Sequence, residues 1–371
     1  MKILITGAKG FIGKNLIAEL NNRKPGEILE FDTDNSLEDL ENYTKNCDFV
    51  FHLAGVNRPQ NEIEFIEGNL DFTKILLNSL KKNGNRSPVI FSSSVQASLE
   101  NPYGKSKLAA EKILISYSEE NRVPVFIYRI PNVFGKWCRP SYNSVVATFC
   151  HNIANGMPVQ INDPSANLKL IYIDDLINEF IFRLNAVKVL NGPEYIDPLS
   201  PLHQVTLGKL AALLELFRDS RLTKEVPPLS DDFQRKLYAT YLSYLPKDKF
   251  SYPLKMNIDQ RGSFTEFIKT PDRGQVSVNI SKPAIVKGNH WHHTKNEKFL
   301  VVSGTGVIRF RKIGTQEIIE YNVSGDNLEV VDIPPGYTHN IENIGQTDMV
   351  TVMWASEPFD PQKPDTWFEG V

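Results

Sequence analysis

Three groups of residues in this 371-residue chain have types and spacings that could do chemistry. Tyr103 and Lys107 stand four apart, so on a helix they share one face. An ammonium held near a phenol lowers the phenol pKa from about 10 and lets it exchange a proton near neutral pH. Ser94, the last of Ser92-Ser-Ser94, could bond the same substrate oxygen. Together they make a general acid for a carbonyl that receives hydride. The second group is Gly7-Ala-Lys-Gly10-Phe-Ile-Gly13. Glycines there allow a sharp turn and a close approach to a pyrophosphate, and a helix opening at the same point offers free amides and a partial positive charge. The third group is His290-Trp-His292 with Glu297 and, far downstream, His339 in Pro334-Pro-Gly336-Tyr-Thr-His339. Three imidazoles and one carboxylate suit zinc, manganese, iron or nickel.

Each group needs elements to position it. Lys2–Thr6 reads as a buried strand that runs directly into the glycines. The segments 27–31, 48–53, 88–93 and 125–129 read the same way, and helical spacing fills 63–80 and 102–117 between them. Such alternation predicts an α/β doubly wound parallel sheet of the Rossmann type. The second strand ends at Asp32, where an acidic residue usually holds a ribose 2′-hydroxyl and favours NAD; a loop carboxylate or helix cap is the other reading of that position. Leu237 to Tyr252, rich in Tyr, Leu and Lys, contains the linker. Beyond it come short alternating runs at 275–281, 298–302, 306–311, 317–323 and 349–354, punctuated by Gly and Pro. They predict a compact all-β barrel or sandwich. The expected division is residues 1–243, a linker at 244–252, and 253–371. Within the second part, His290 and His292 share a strand face, and Glu297 needs a turn across 294–296.

Composition excludes several classes. The formal net charge of -3 supplies no electrostatic reason to expect nucleic acid or an anionic membrane as partner. No apolar stretch approaches the ~18 residues of a membrane span. Cys47, Cys138 and Cys150 form no Cys-x-x-Cys pair, which fits a reducing compartment, the cytoplasm, better than a disulfide framework.

The motifs resemble two families. Thr6-Gly-Ala-Lys-Gly-Phe-Ile-Gly13, His52-Leu-Ala-Gly55, Phe91-Ser-Ser-Ser94, Tyr103-Gly-Lys-Ser-Lys107, Arg129-Ile-Pro-Asn-Val-Phe-Gly135 and Tyr172-Ile-Asp-Asp175 resemble the extended short-chain dehydrogenase/reductases, especially those acting on nucleotide sugars. That resemblance implies a nicotinamide cofactor at Gly7, Lys9, Gly10, Phe11, Ile12, Gly13, Asp32, Leu53, Ala54, Gly55 and Asn132. It puts Ser94 and Tyr103 on the substrate oxygen and Lys107 on the nicotinamide ribose. Ala97-Ser98 stand where the family has Tyr-Gly, so a different substrate pocket is expected. The second half resembles the cupins: His290-x-His292, Glu297, Gly304 and Pro334-x-Gly336-x-x-His339 match their motifs, with Ala284 where the first motif opens on glycine. Asp259-Gln-Arg-Gly-Ser-Phe-Thr-Glu-Phe267 further resembles the deoxysugar 3,5-epimerases, which are cupins; Lys287 and Tyr337 are the candidate catalytic residues there.

The fusion in this order is similar to the bifunctional capsular-polysaccharide enzymes. The resemblance implies a UDP-linked 4-keto-6-deoxy amino sugar as substrate, NADPH, one Zn²⁺ per chain held by His290, His292, Glu297 and His339, and a homodimer. Lys9 then becomes the contact for the 2′-phosphate of NADPH, against the NAD preference implied by Asp32. A rival reading consistent with Asp32 is an NAD-retaining nucleotide-sugar 4-epimerase or 4,6-dehydratase with a structural cupin.

Overall fold

The computed structural model describes residues 1–186, 192–196 and 199–371. They divide into two units: Met1–Leu214 with Arg235–Pro246, and Glu215–Gln234 with Lys247–Val371.

In the first unit, six parallel strands lie in the order Glu27–Phe31, Lys2–Thr6, Phe49–His52, Val89–Ser94, Val125–Ile130, Pro193–Ile196. The runs at 2–6, 48–53, 88–93 and 125–129 are the buried central strands, whereas Glu27–Phe31, expected to be buried too, stands at the sheet edge and only Phe31 of it is buried. Period-2 alternation splits each strand between two cores. Ile3, Ile5, Phe49, Phe51 and Tyr128 face helices Phe11–Arg23 and Ile173–Ala186 through Leu16, Leu20 and Phe180. Leu4, Val50, Val89, Phe91 and Ile127 face the other side, covered by Leu40, Leu76, Leu80, Ala110 and Leu114 from helices Leu37–Asn46, Phe72–Lys82 and Pro102–Asn121. This is the doubly wound sheet that the alternation predicts. Successive strands leave Lys2–Thr6 in opposite directions, so a crevice opens at the carboxyl ends of Lys2–Thr6 and Phe49–His52.

One helical segment differs from the sequence expectation. The helical stretch 63–80 is broken by a π-helical turn, Ile66–Asp71, between Ile63–Phe65 and Phe72–Lys82. The turn carries Asn69 inward, where its amide bonds both backbone groups of Val56 and the Ser106 hydroxyl. Ahead of the expected linker at 244–252, Asp232–Leu242 is a helix that buries Leu237 and Tyr241.

The second unit is all-β. A six-stranded antiparallel sheet runs Asn257–Asp259, Gly262–Thr270, Gly274–Ser281, Met349–Ala355, Glu297–Ser303, Val330–Ile333. A five-stranded sheet runs Ile318–Ser324, Thr305–Lys312, Tyr337–Asn343, Val286–Trp291, Trp367–Phe368. Phe299, Val301 and Met349 of the first meet Ile308, Phe310 and Ile341 of the second in one apolar core. Ala284, in the place the cupin pattern reserves for glycine, has φ 61. The chain needs the left-handed region there, and alanine adopts it at a steric cost.

Candidate functional site

The first site forms at the crevice. Gly7 turns the chain at φ 73, and a Cβ on it would stand 2.7 Å from the Ala54 backbone nitrogen. Gly10 begins the helix Phe11–Arg23, no side chain caps it, and no acidic residue lies in its first turn. The amides at Phe11, Ile12 and Gly13 are therefore presented to the crevice as an anion site. Leu53, Ala54 and Gly55 continue the neighbouring strand into the same place, and the Leu53 amide donates to the Thr6 carbonyl.

Asp32 lies beside the loop, but its carboxylate accepts from the backbone N–H of Lys9 at 2.7 Å and of Thr33 at 2.8 Å. That contact pins the glycine loop. The Lys9 ammonium pairs with Asp34 at 2.6 Å, both well exposed. Asn132 is exposed on the short strand Asn132–Phe134.

Asn101 caps the helix that opens at Pro102 by accepting the Gly104 amide at 2.7 Å, which places Tyr103 in the first turn. The Ser94 hydroxyl bonds the Tyr103 phenol. Burial nevertheless holds the phenol above its ordinary pKa. Spacing alone puts the Lys107 ammonium at this phenol; in the structure Lys107 donates instead to the Ser92 carbonyl at 3.0 Å and points at Gly55. Its side chain is buried, and burial pulls its pKa down to about 8 against the opposing pull of Glu111.

Sequence reasoning did not single out the residues that brace this set. Glu111 is fully buried; it accepts from Ser93 and takes both a 3.0 and a 2.7 Å bond from Arg129. His52 bonds Thr6 and Thr73, each at 2.8 Å. Thr73 gives its own proton to the Asn69 carbonyl, so His52 Nε2 is the donor and Nδ1 the acceptor. Burial, then the charge of Lys107, pushes the His52 pKa down to about 3, keeping the ring neutral.

The second site lies inside the all-β unit. His290 pairs with His339 across adjacent strands, with a bulge at Asn289, φ 59. The strand ends at Trp291; His292 and the turn 293–296 follow, and Glu297 opens the next strand. One ligand atom from each of His290, His292, Glu297 and His339 falls within 4.8 Å of the others. His292 Nε2 and His339 Nε2 lie 3.5 and 3.4 Å from Glu297 Oε2, yet all three atoms are buried and unbonded. Bare buried donors and acceptors converging on one point fit a cation, which would take their lone pairs. Burial lowers the His290 pKa to about 4. Burial works to raise that of Glu297, but the neighbouring His292 and His339 bring it down to about 2. His293 stays outside, its ring 4.5 Å from that of Trp291.

These four residues open onto a cavity of roughly 530 Å³, whose wall includes Arg261, Glu266, Asn279, Lys287 and Lys295. Lys287 donates to the Asn279 side chain and the Ile280 carbonyl, both at 2.8 Å, and burial lowers its pKa. Tyr337 is not on that wall. It begins the strand Tyr337–Asn343, opposite Lys312 and two residues before His339 on the same strand face, and it packs against the apolar core.

Comparison with known proteins agrees with this layout. Residues 3–196 match the NAD dependent epimerase/dehydratase family, and residues 257–367 match the polysaccharide biosynthesis C-terminal domain. The chain belongs to the NAD dependent epimerase/dehydratase family. The UDP-2-acetamido-2,6-beta-L-arabino-hexul-4-ose reductase of Pseudomonas aeruginosa is 44% identical over 367 residues, 99% of this chain and 98% of the relative. The crystal structure of the capsular polysaccharide assembling protein CapF from Staphylococcus aureus is 56% identical, with a TM-score of 0.93 over 100% of both chains. The UDP-glucose 4-epimerase of Thermus thermophilus, at 18% identity and TM-score 0.53 over 66% of this chain, shares the fold. No helix among the described residues is long and apolar enough to cross a membrane.

Proposed function

We propose that this chain is a bifunctional nucleotide-sugar enzyme. Its all-β half, a cupin, inverts carbon 3 of a UDP-2-acetamido-2,6-dideoxy-L-hexos-4-ulose. Its α/β half then reduces the 4-keto group with NADPH to the UDP-2-acetamido-2,6-dideoxy-L-talose, a step toward UDP-N-acetyl-L-fucosamine and capsular polysaccharide. The observation that carries the reading is the pairing, in one chain, of a Ser94–Tyr103–Lys107 set at a dinucleotide crevice with a buried His₃Glu cluster on a cavity. The full-length similarity to a hexul-4-ose reductase supports the substrate class.

In the reductase half, Tyr103 gives its proton to the C4 oxygen as hydride arrives, with Ser94 holding that oxygen. Lys107, held by the Ser92 carbonyl, serves the nicotinamide ribose. Phosphates lie on the amides of Gly10 to Gly13. NADPH is favoured because the Asp32 carboxylate is engaged by Lys9 and Thr33 amides, while the exposed Lys9 ammonium is free to leave Asp34 for a 2′-phosphate.

In the other half, His290, His292, Glu297 and His339 would hold Zn²⁺, which when bound supplies a positive charge for a developing enolate oxygen. Lys287, on the cavity wall with a pKa lowered by burial, takes the proton beside the ketone, and a proton delivered from solvent in the cavity to the opposite face of the enolate completes the inversion. Epimerisation alone is nearly thermoneutral, so the reduction draws it forward. The working form is a homodimer.

The test is NMR of candidate UDP-4-keto sugars in deuterated water, with and without NADPH. Deuterium should enter at carbon 3 without cofactor, and reduction should require it. Reduction of the sugar with no deuterium at carbon 3 would remove the epimerase half of the proposal; a stronger turnover with NADH would reverse the cofactor choice.

A further inference from the structure

The C-terminal tail returns to the His₃Glu cluster, and one residue of it makes five contacts there. The carboxylate of Asp365 accepts the backbone amides of His293, Thr294 and Lys295 at 3.0, 2.9 and 2.9 Å, and the Thr294 hydroxyl at 3.1 Å. The backbone carbonyl of the same residue lies 2.6 Å from His292 Nδ1. A carbonyl only accepts, so Nδ1 carries the hydrogen, and the bare lone pair of His292 sits on Nε2, the atom that faces Glu297. Asp365 holds φ 22, a backbone conformation that a side-chain-bearing residue keeps only when its surroundings over-determine it. Lys295 ties the adjoining carbonyl of Pro364 at 3.2 Å, and Thr366 reaches the cavity wall.

The turn that Asp365 caps, 293–296, joins ligand His292 to ligand Glu297. Its amides belong to no helix or strand, so without the carboxylate they would turn to water and the turn would loosen. From this geometry we infer that Asp365 is a positioning residue for the metal centre. Its carbonyl sets the tautomer and ring plane of His292, and its carboxylate sets the distance from His292 to Glu297. The last residues of the chain thereby become part of the metal site, although they supply no ligand.

This inference rests on the cluster being a metal site, and the experiment separates the two. Full-length wild-type, Asp365→Asn, Asp365→Ala and Thr294→Val proteins are stripped of metal and titrated with Zn²⁺ against a chromogenic chelator, and with Co²⁺ by its visible ligand-field bands. Loss of an outer partner of a ligand typically weakens metal binding about 10- to 100-fold. Asp365→Ala should show that loss with altered Co²⁺ bands, Asp365→Asn a smaller one, and Thr294→Val the smallest. The downfield His292 Nδ1–H proton signal of the wild type should shift or vanish in Asp365→Ala. Wild-type protein that binds neither ion would sink the metal reading itself. Wild-type binding with Zn²⁺ affinity and His292 signal unchanged in folded Asp365→Ala would overturn the role of Asp365. If that variant does not fold, unchanged Zn²⁺ dissociation rates in both other variants would overturn it equally.

Discussion

Replacing Gly13 with alanine adds one methyl group where the first helix meets the loop that feeds it. A Cβ at position 13 would stand 2.7 Å from the Ala8 carbonyl oxygen and closer still to that of Gly7. Ordinary contact begins near 3.4 Å, so the helix must retreat from the loop by at least 3.4 − 2.7 = 0.7 Å. Both clashing atoms are backbone, so no side-chain rotation relieves them. Overpacking of this size costs about 1–3 kcal/mol. If the strain falls on the dinucleotide-bound form, at 1.4 kcal/mol per decade, the affinity drops roughly 5- to 150-fold. The assay is titration of NADPH by quenching and energy transfer from protein fluorescence, with thermal unfolding measured in parallel. Zn²⁺ affinity, set in the other unit, should not change. An alanine variant whose NADPH Kd and unfolding midpoint both match wild type would refute the close-packing argument and the placement of the pyrophosphate on this helix.

Tyr103→Phe should cut reduction by roughly 10²- to 10⁴-fold while leaving deuterium exchange at carbon 3 intact, and His290→Ala should do the reverse, both read by NMR and NADPH absorbance. Lys107 is charged in a buried site, its pKa lowered to about 8. Between pH 8 and about 10.5 the unfolded chain binds the proton and the folded one does not, so wild-type stability should gain on Lys107→Met as pH rises through that window. A constant gap between the two melting curves would contradict the burial assigned to this lysine. His52, kept neutral with a pKa of about 3, contributes stability that is complete above pH 6.5 and lost as pH falls toward 3; His52→Leu should weaken that acid dependence and leave the hydroxyls of Thr6 and Thr73 without the imidazole, at a cost of about 1–3 kcal/mol in urea unfolding. Ala284→Gly should stabilise the second unit by up to about 1 kcal/mol, because the φ of 61 suits glycine and the gain exceeds its extra unfolded-state entropy. An unchanged or lower unfolding midpoint would mean that the alanine is not strained.

Signals with a short period were legible in the chain by itself. Strand alternation sorts Ile3 and Ile5 from Leu4 into opposite cores, the i, i+4 rule joins Tyr103 to Lys107, and glycine spacing marks the turn into the first helix. The His-x-His pair, with Glu297 one turn on, announced a ligand set for the same reason: each depends on backbone geometry within a few residues. What the fold alone decided are contacts between distant segments. Asp365 reaches His293 from 72 residues away, Arg129 reaches Glu111 from 18, and Asn69 enters through a π-helical turn that has no sequence period of its own. The Lys107 ammonium goes to Ser92 rather than to the phenol because burial and a carbonyl acceptor, not helical spacing, determine where a buried charge rests. Tyr337 lies on the same strand face as His339, two residues before it, yet packs on the apolar core and is absent from the cavity wall: alternation gives the face, and only the fold decides how far along that face the cavity reaches.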